Sequence, residues 1–199
     1  MSTEKAEAHP GAKPLVVGIG GTNRTFSSTD RALRIALHAA EEAGARTFLF
    51  DGAFLSQLPH FGPESRERNE QQRQFIEMIR KSDGVIVASP GYHGGVSGLV
   101  KNALDLLEDL RDVDPCYLDG RAVGCIVTAA GWQACVSTLM ALRSIVHALR
   151  GWPTPLGATL NTTDGIFDAT GVCKDEKVLN QLNVIGRQVV EFARKHRRL

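Results

Sequence analysis

The chain has 199 residues, 43% hydrophobic and 23% charged, and its 23 basic against 22 acidic side chains leave a formal net charge of +1. That is enough apolar material for one domain with a real core, and too balanced a charge to attract nucleic acid or an anionic membrane. The opening stretch MSTEKAEAHPGAKP lacks the apolar run of a secretory signal, and no segment approaches the roughly 20 apolar residues of a membrane span. Cys116, Cys125, Cys135 and Cys173 form neither a CxxC pair nor a metal-ligand cluster. These features indicate a soluble, cytoplasmic protein with free thiols and no bound metal.

After a flexible polar arm over residues 1–13, PLVVGIGG (14–21) is a short apolar run ending in glycine, as in a strand buried on both faces. A helix follows over 28–44, with Ser27 or Ser28 as cap, apolar spacing at Ala32, Leu33, Ala36, Leu37 and Ala40, and Gly44 as stop. A second strand covers 45–52 and a Pro- and Gly-containing loop 53–65. The polar segment 65–83 reads as a helix with Phe75, Ile76 and Ile79 inward, and GVIVASP (84–90) as the third strand. The glycine-rich SPGYHGGVSG leads into a helix over 97–110, then a fourth strand over 120–131 and a helix from about 133 to 150. A fifth strand around 154–161 and a last helix near 174–197 complete the chain; Leu182, Ile185, Val189 and Phe192 form that helix's apolar stripe. Its basic end, RKHRRL, complements the helix dipole and solvates a tail.

Five strands alternating with five helices predict one α/β domain over 14–199 with a parallel sheet and right-handed crossovers. With five strands the flavodoxin-like order 2-1-3-4-5 leads: a three-layer sandwich with helices on both faces. Its ligands bind outside the carboxyl ends of the strands, at the switch point between strands 1 and 3. The turns after strands 1, 3 and 4 are therefore the places to look for chemistry.

After strand 1, GGTNRTFSSTD carries four hydroxyls ahead of the helix (Thr22, Thr25, Ser27, Ser28), a fifth at Thr29, and Arg24. A helix cap accounts for one or two hydroxyls; five with an arginine at a helix N-terminus suit a phosphate. The loop has neither the third glycine of a dinucleotide fingerprint nor a P-loop Gly-Lys-Ser/Thr, so a single terminal phosphate fits it best. After strand 3, Gly91, Gly94 and Gly95 admit a flat ligand close to the backbone, with Tyr92 alongside; the competing reading is a tight turn that needs positive φ. After strand 4, Thr128 to Cys135 supplies small residues and Trp132, a second wall for the same ligand or a plain surface tryptophan.

With these loops in hand, the chain resembles the NADPH-dependent FMN reductase family. Gly21-Thr22-Asn23-Arg24 with Ser27 and Ser28 matches the family's first motif. Its longer second motif is matched by Ser89, Pro90, Tyr92, His93, Gly94, Gly98, Lys101, Asn102, Ala103 and Asp105, the likeness running from about 14 to 162. The resemblance implies FMN, with NAD(P)H as co-substrate. It places Thr22, Arg24, Ser27, Ser28 and Thr29 around the phosphate, Pro90, Gly91, Tyr92, His93, Gly94 and Gly95 along the ring, and Thr128, Ala130 and Gly131 at its other edge. Asn102 and Asp105, unfavourable types inside a helix, read as structural ties. No nucleophile–base pair appears, as suits an enzyme whose cofactor carries the hydride. His93 is either a proton donor or a loop hydrogen-bonding residue.

Three functions fit: a reductase supplying reduced flavin, for instance to a partner monooxygenase; an FMN-retaining quinone, azo or metal-oxyanion reductase; or an electron carrier without nicotinamide activity, a class that is usually strongly acidic. In the helix over 97–110, Leu99, Ala103, Leu106 and Leu110 lie on one line and Val100, Leu104 and Leu107 on the next. So broad an apolar surface predicts a homo-oligomer joined through this helix, and the family resemblance implies a homodimer or homotetramer with FMN near the second chain.

Overall fold

The computed structural model describes residues 12–65 and 67–196; the polar arm up to residue 11 and the last three residues of the basic tail lie outside the described residues. The strands are β1 (Leu15–Gly20), β2 (Arg46–Phe50), β3 (Gly84–Tyr92), β4 (Gly95–Val96), β5 (Ala122–Ala129), β6 (Trp152–Pro153) and β7 (Ala158–Asn161). The helices are α1 (Ser28–Glu42), α2 (Gly52–Leu55), α3 (Glu70–Lys81), α4 (Gly98–Asp105), α5 (Trp132–Ala148) and α6 (Glu176–His196). A 3-10 turn, Leu106–Leu110, extends α4, and another, Thr162–Asp164, follows β7.

The sheet runs β2-β1-β3-β5, and β6 and β7 both pair parallel with β5 along its outer side. Its order is therefore the 2-1-3-4-5 expected, with a fifth strand in two pieces. Pro153 and Pro155 break it, because proline cannot donate to the ladder. Alternation along the strands sorts the two cores. Val17, Ile19, Val85 and Val87 face a cluster with Phe50, Phe75, Ile79, Leu104 and Leu142, under α3, α4 and α5. Val16, Ile86, Ala88 and Ile126 face the opposite one, with Leu33, Leu37, Leu182, Ile185 and Val189 of α1 and α6.

One boundary and one surface differ from the sequence reading. Helix α3 begins at Glu70 rather than 65, because Asn69 accepts from Gln72 N–H while the Gln72 side chain reaches back to Asn69 N–H, a complete capping box. The broad apolar surface of α4 is not exposed: Val100, Ala103, Leu104, Leu106, Leu107 and Leu110 are all between 0 and 3% accessible. Both lines pack inward, against the sheet and against Phe54, Phe61 and Ile76 of the neighbouring α2, α3 and connecting loop. The basis for an oligomer through this helix is overturned.

Candidate functional site at the carboxyl edge of the sheet

The three segments singled out meet at one edge. Gly20 pairs with Ala88, and Pro90 with Thr128, so the ends of β1, β3 and β5 lie side by side. At the end of β1, Thr22 Oγ1 accepts from Arg24 N–H at 3.0 Å, and Ser27 caps α1 by accepting from Asp30 N–H at 3.2 Å. Between them Phe26 has φ +55° and an exposed ring, a costly conformation for a bulky side chain and one found at functional loops. Thr29 stands elsewhere than expected. It is buried, and its Oγ1 lies 2.6 Å from Thr128 Oγ1, a bond joining α1 to the end of β5. Thr29 and Thr128 therefore support the surface rather than form it, as does Pro90, buried within β3.

Of the three glycines Gly91, Gly94 and Gly95, two have structural reasons. Tyr92 pairs with Gly95, so β3 and β4 form a hairpin whose two-residue turn is His93-Gly94. Both turn residues have positive φ, +51° and +81°, as the type I′ turn requires. A Cβ at Gly91 would lie 2.8 Å from Thr138 Oγ1 and 3.2 Å from Ala134 O, so that position is closed by α5. Gly91 and Gly94 thus answer to packing and turn geometry. A Cβ at Gly95 would meet nothing nearer than Tyr92 O at 3.9 Å. At Gly95 neither packing nor a positive φ calls for a glycine.

On the β5 side, Ala130 is exposed and Gly131 (φ +110°) leads into α5. Both Gly131 backbone groups are engaged: its N–H donates to Asn161 Oδ1 at 2.8 Å and its carbonyl accepts from Cys135 N–H. Asn161 is further held by Thr163 and Asp164. This residue, at the end of β7, fixes the second wall and was not visible as functional in the sequence; an Asn ending a strand looks like any turn former. His93 and Tyr92 are exposed at the hairpin tip. Within α4, Lys101 and Asp105 pair at 2.6 Å, while Asn102 accepts from Phe61 N–H at 2.8 Å and donates to Pro59 O. Asn102 is a structural tie, to the loop after α2.

A cleft of about 180 Å³ opens at the N-terminus of α1, lined by Arg24, Ser27, Ser28 and Arg31 on one side and Thr162, Ile166 and Phe167 on the other. Neither Arg24 nor Arg31 forms an ion pair among the described residues, whereas Arg34, one turn on, sits 2.9 Å from Asp30 and 3.9 Å from Asp51. Uncompensated cations at the positive end of a helix dipole make an anion-receptive site. That donor set fits the phosphate of FMN. Arg31 and the segment after β7 were absent from the sequence reading, because the helix pattern gave Arg31 no distinction from a solvated residue.

The sequence model of the NADPH-dependent FMN reductase family matches residues 14–163. An FMN-dependent NADPH-azoreductase from Staphylococcus haemolyticus is 28% identical over 142 residues, covering 69% of this chain and 72% of that protein. An iron-sulfur flavoprotein from Archaeoglobus fulgidus is 26% identical over 197 residues, covering 91% and 98%. Among solved structures, the flavoenzyme NAD(P)H:(acceptor) oxidoreductase FerB from Paracoccus denitrificans superposes with a TM-score of 0.75 at 20% identity, over 92% of this chain and 98% of that one.

Proposed function

The chain belongs to the NADPH-dependent FMN reductase family, and from that premise we propose that FMN lies along the carboxyl edge, phosphate at the N-terminus of α1 and ring against the β3–β4 hairpin. The protein is an oxidoreductase that uses FMN and NAD(P)H. When bound, FMN supplies a ring that takes up hydride from the nicotinamide and hands the electrons to an acceptor. The chain's own residues bind and orient. Arg24, Ser27 and Ser28 hold the phosphate, with Thr22 shaping the loop; Gly95 admits the ring edge; Tyr92 and Trp132 stand at the rim; and Ala130 and Gly131 form the far wall. The observation that carries this reading is the meeting, at one sheet edge, of an uncompensated cationic helix terminus with a hairpin that leaves Gly95 open.

Electrons leave either as reduced flavin, for instance to a partner monooxygenase in the cytoplasm, or directly to an azo compound or quinone while FMN stays bound. The similarity to an azoreductase supports the second route. A flavin spectrum of the purified protein before and after gel filtration, and NAD(P)H oxidation with free FMN, a quinone and an azo dye, decide between them. No oxidation with any acceptor at saturating FMN refutes both.

We also place a homo-oligomer contact on α5. Trp132, Val136 and Met140 lie four residues apart and are 55, 54 and 63% exposed. The remaining exposed positions over 132–144, Gln133, Ser137 and Ser144, are uncharged. Arg143, the one Asp, Glu, Lys or Arg of this helix, donates to Thr154 O. Such a face meets a copy of itself across a twofold axis without charge repulsion. Light scattering tests it: a mass near 21.5 kDa refutes the oligomer, and Met140→Glu should dissociate one.

A further inference from the structure

Arg31 occupies the first turn of α1, where the helix dipole disfavours a cation, yet the structure builds a holder for it. Its Nη1 donates to Asp168 O at 3.1 Å, its Cζ lies 5.8 Å from the centre of the Phe167 ring, and Gly171 passes so close that a Cβ there would sit 3.3 Å from Nε. The holder is a small hairpin, closed by the Phe167–Cys173 bridge and by Asp168 Oδ1 accepting from Thr170 and Val172 N–H, both at 2.9 Å. A carbonyl and a ring orient the guanidinium without neutralising it, as the carboxylates around Arg34 neutralise that residue. The same side chain lines the cleft shared with Arg24, Ser27 and Ser28.

We propose that Arg31, positioned by the hairpin over 165–173, is a second phosphate-reading cation that makes the site selective for the terminal phosphomonoester of FMN over riboflavin and over FAD. The proposal rests on the FMN reading above. At neutral pH a phosphomonoester carries about 1.5 to 2 negative charges on one phosphate, matching two arginines, whereas each phosphate of the FAD diphosphate carries only one. The cleft of about 180 Å³ is smaller than the roughly 300–1,000 Å³ of sites enclosing whole small molecules, so it takes a phosphate end, and the adenosine of FAD would gain no contact inside it.

The test is titration of the flavin-stripped protein with FMN, riboflavin and FAD, read by flavin fluorescence. Arg31→Ala should weaken FMN about tenfold, the typical reach of one charge-assisted hydrogen bond, and leave riboflavin within about twofold. Arg31→Lys should fall between, keeping charge but losing the fork. Phe167→Ala should lower FMN affinity in the native background and have no further effect beside Arg31→Ala, the mark of a residue acting through Arg31. Native FMN affinity should rise between about pH 5.5 and 7.5 as the second phosphate proton leaves near pH 6, more steeply than in Arg31→Ala. An Arg31→Ala protein with the native FMN-to-riboflavin ratio overturns the proposal, and so does a native protein that binds FAD as well as FMN. A variant that loses riboflavin too is misfolded, and Arg31→Lys then decides. Failure of the native protein to bind FMN at all refutes instead the underlying function.

Discussion

At the scale of single residues, charge compensation separates function from structure. Arg24, ahead of α1, and Arg34, within it, are both exposed, but Arg34 is paired with Asp30 and Asp51 and Arg24 with no carboxylate among the described residues. Arg24→Ala should therefore weaken FMN about tenfold or more, a loss of roughly 1.5–3 kcal/mol, and leave riboflavin nearly unchanged; isothermal titration with both flavins checks this, and equal losses contradict the phosphate assignment. The cysteines divide by burial in the same way. All four are free thiols. Burial pushes Cys125 up to about 12 and raises Cys135 as well, while Cys116 and Cys173 are partly exposed. A raised thiol value means less thiolate, the reactive form, at any working pH. At pH 8 a maleimide should label Cys116 and Cys173 in the native protein and all four only in denaturant, as mass spectrometry will count.

At the scale of elements, the helix–strand rhythm was legible because its signals are local: apolar runs of 5 to 8 residues, caps, and glycine stops. The faces of α4 were not. Periodicity shows how much apolar surface a helix carries, not how many neighbours will cover it, and here α2, α3 and the loop around Phe61 cover what the sheet does not. Leu106, fully buried, is thus a core residue, and Leu106→Ala should cost about 2–5 kcal/mol in urea unfolding; a cost below 1 kcal/mol would mean the surface is open after all. The β3–β4 hairpin was half legible. Three glycines announced an unusual backbone, but pairing of Tyr92 with Gly95, which assigns each a separate cause, is a non-local outcome. Substitution separates those causes. Gly94→Asn should keep flavin binding, because Asn tolerates the positive φ of a type I′ turn. Gly95→Val should leave stability intact and weaken flavin binding, because its Cβ would occupy space open in the protein alone. Normal binding by Gly95→Val removes the ring from this hairpin.

At the scale of the whole molecule, the candidate site belongs to no contiguous part of the chain. It draws on the loop after β1, the β3–β4 hairpin, the turn into α5 and the segment after β7, brought together by the register of a parallel sheet. The first three were found in the sequence because the rule for ligand sites at the carboxyl ends of strands depends only on strand order. The fourth was not, because Asn161, Thr162 and Phe167 acquire meaning only through contact with Gly131 and Arg31. A ligand that bridges four segments so far apart must bind the folded chain and not the unfolded one, so its affinity adds to stability by mass action. At a free concentration one hundred times its dissociation constant the gain is about 2.7 kcal/mol. For a chain of this length each kcal/mol raises the melting temperature by about 2–4 °C, so FMN should raise it by roughly 5–10 °C, increasing with the logarithm of concentration. Riboflavin at the same concentration should do less by the amount the phosphate contributes, and Arg24→Ala should narrow the gap between the two flavins. Differential scanning fluorimetry, read at the protein's tryptophans, measures all three, and a melting temperature indifferent to FMN would place the flavin elsewhere than on this edge.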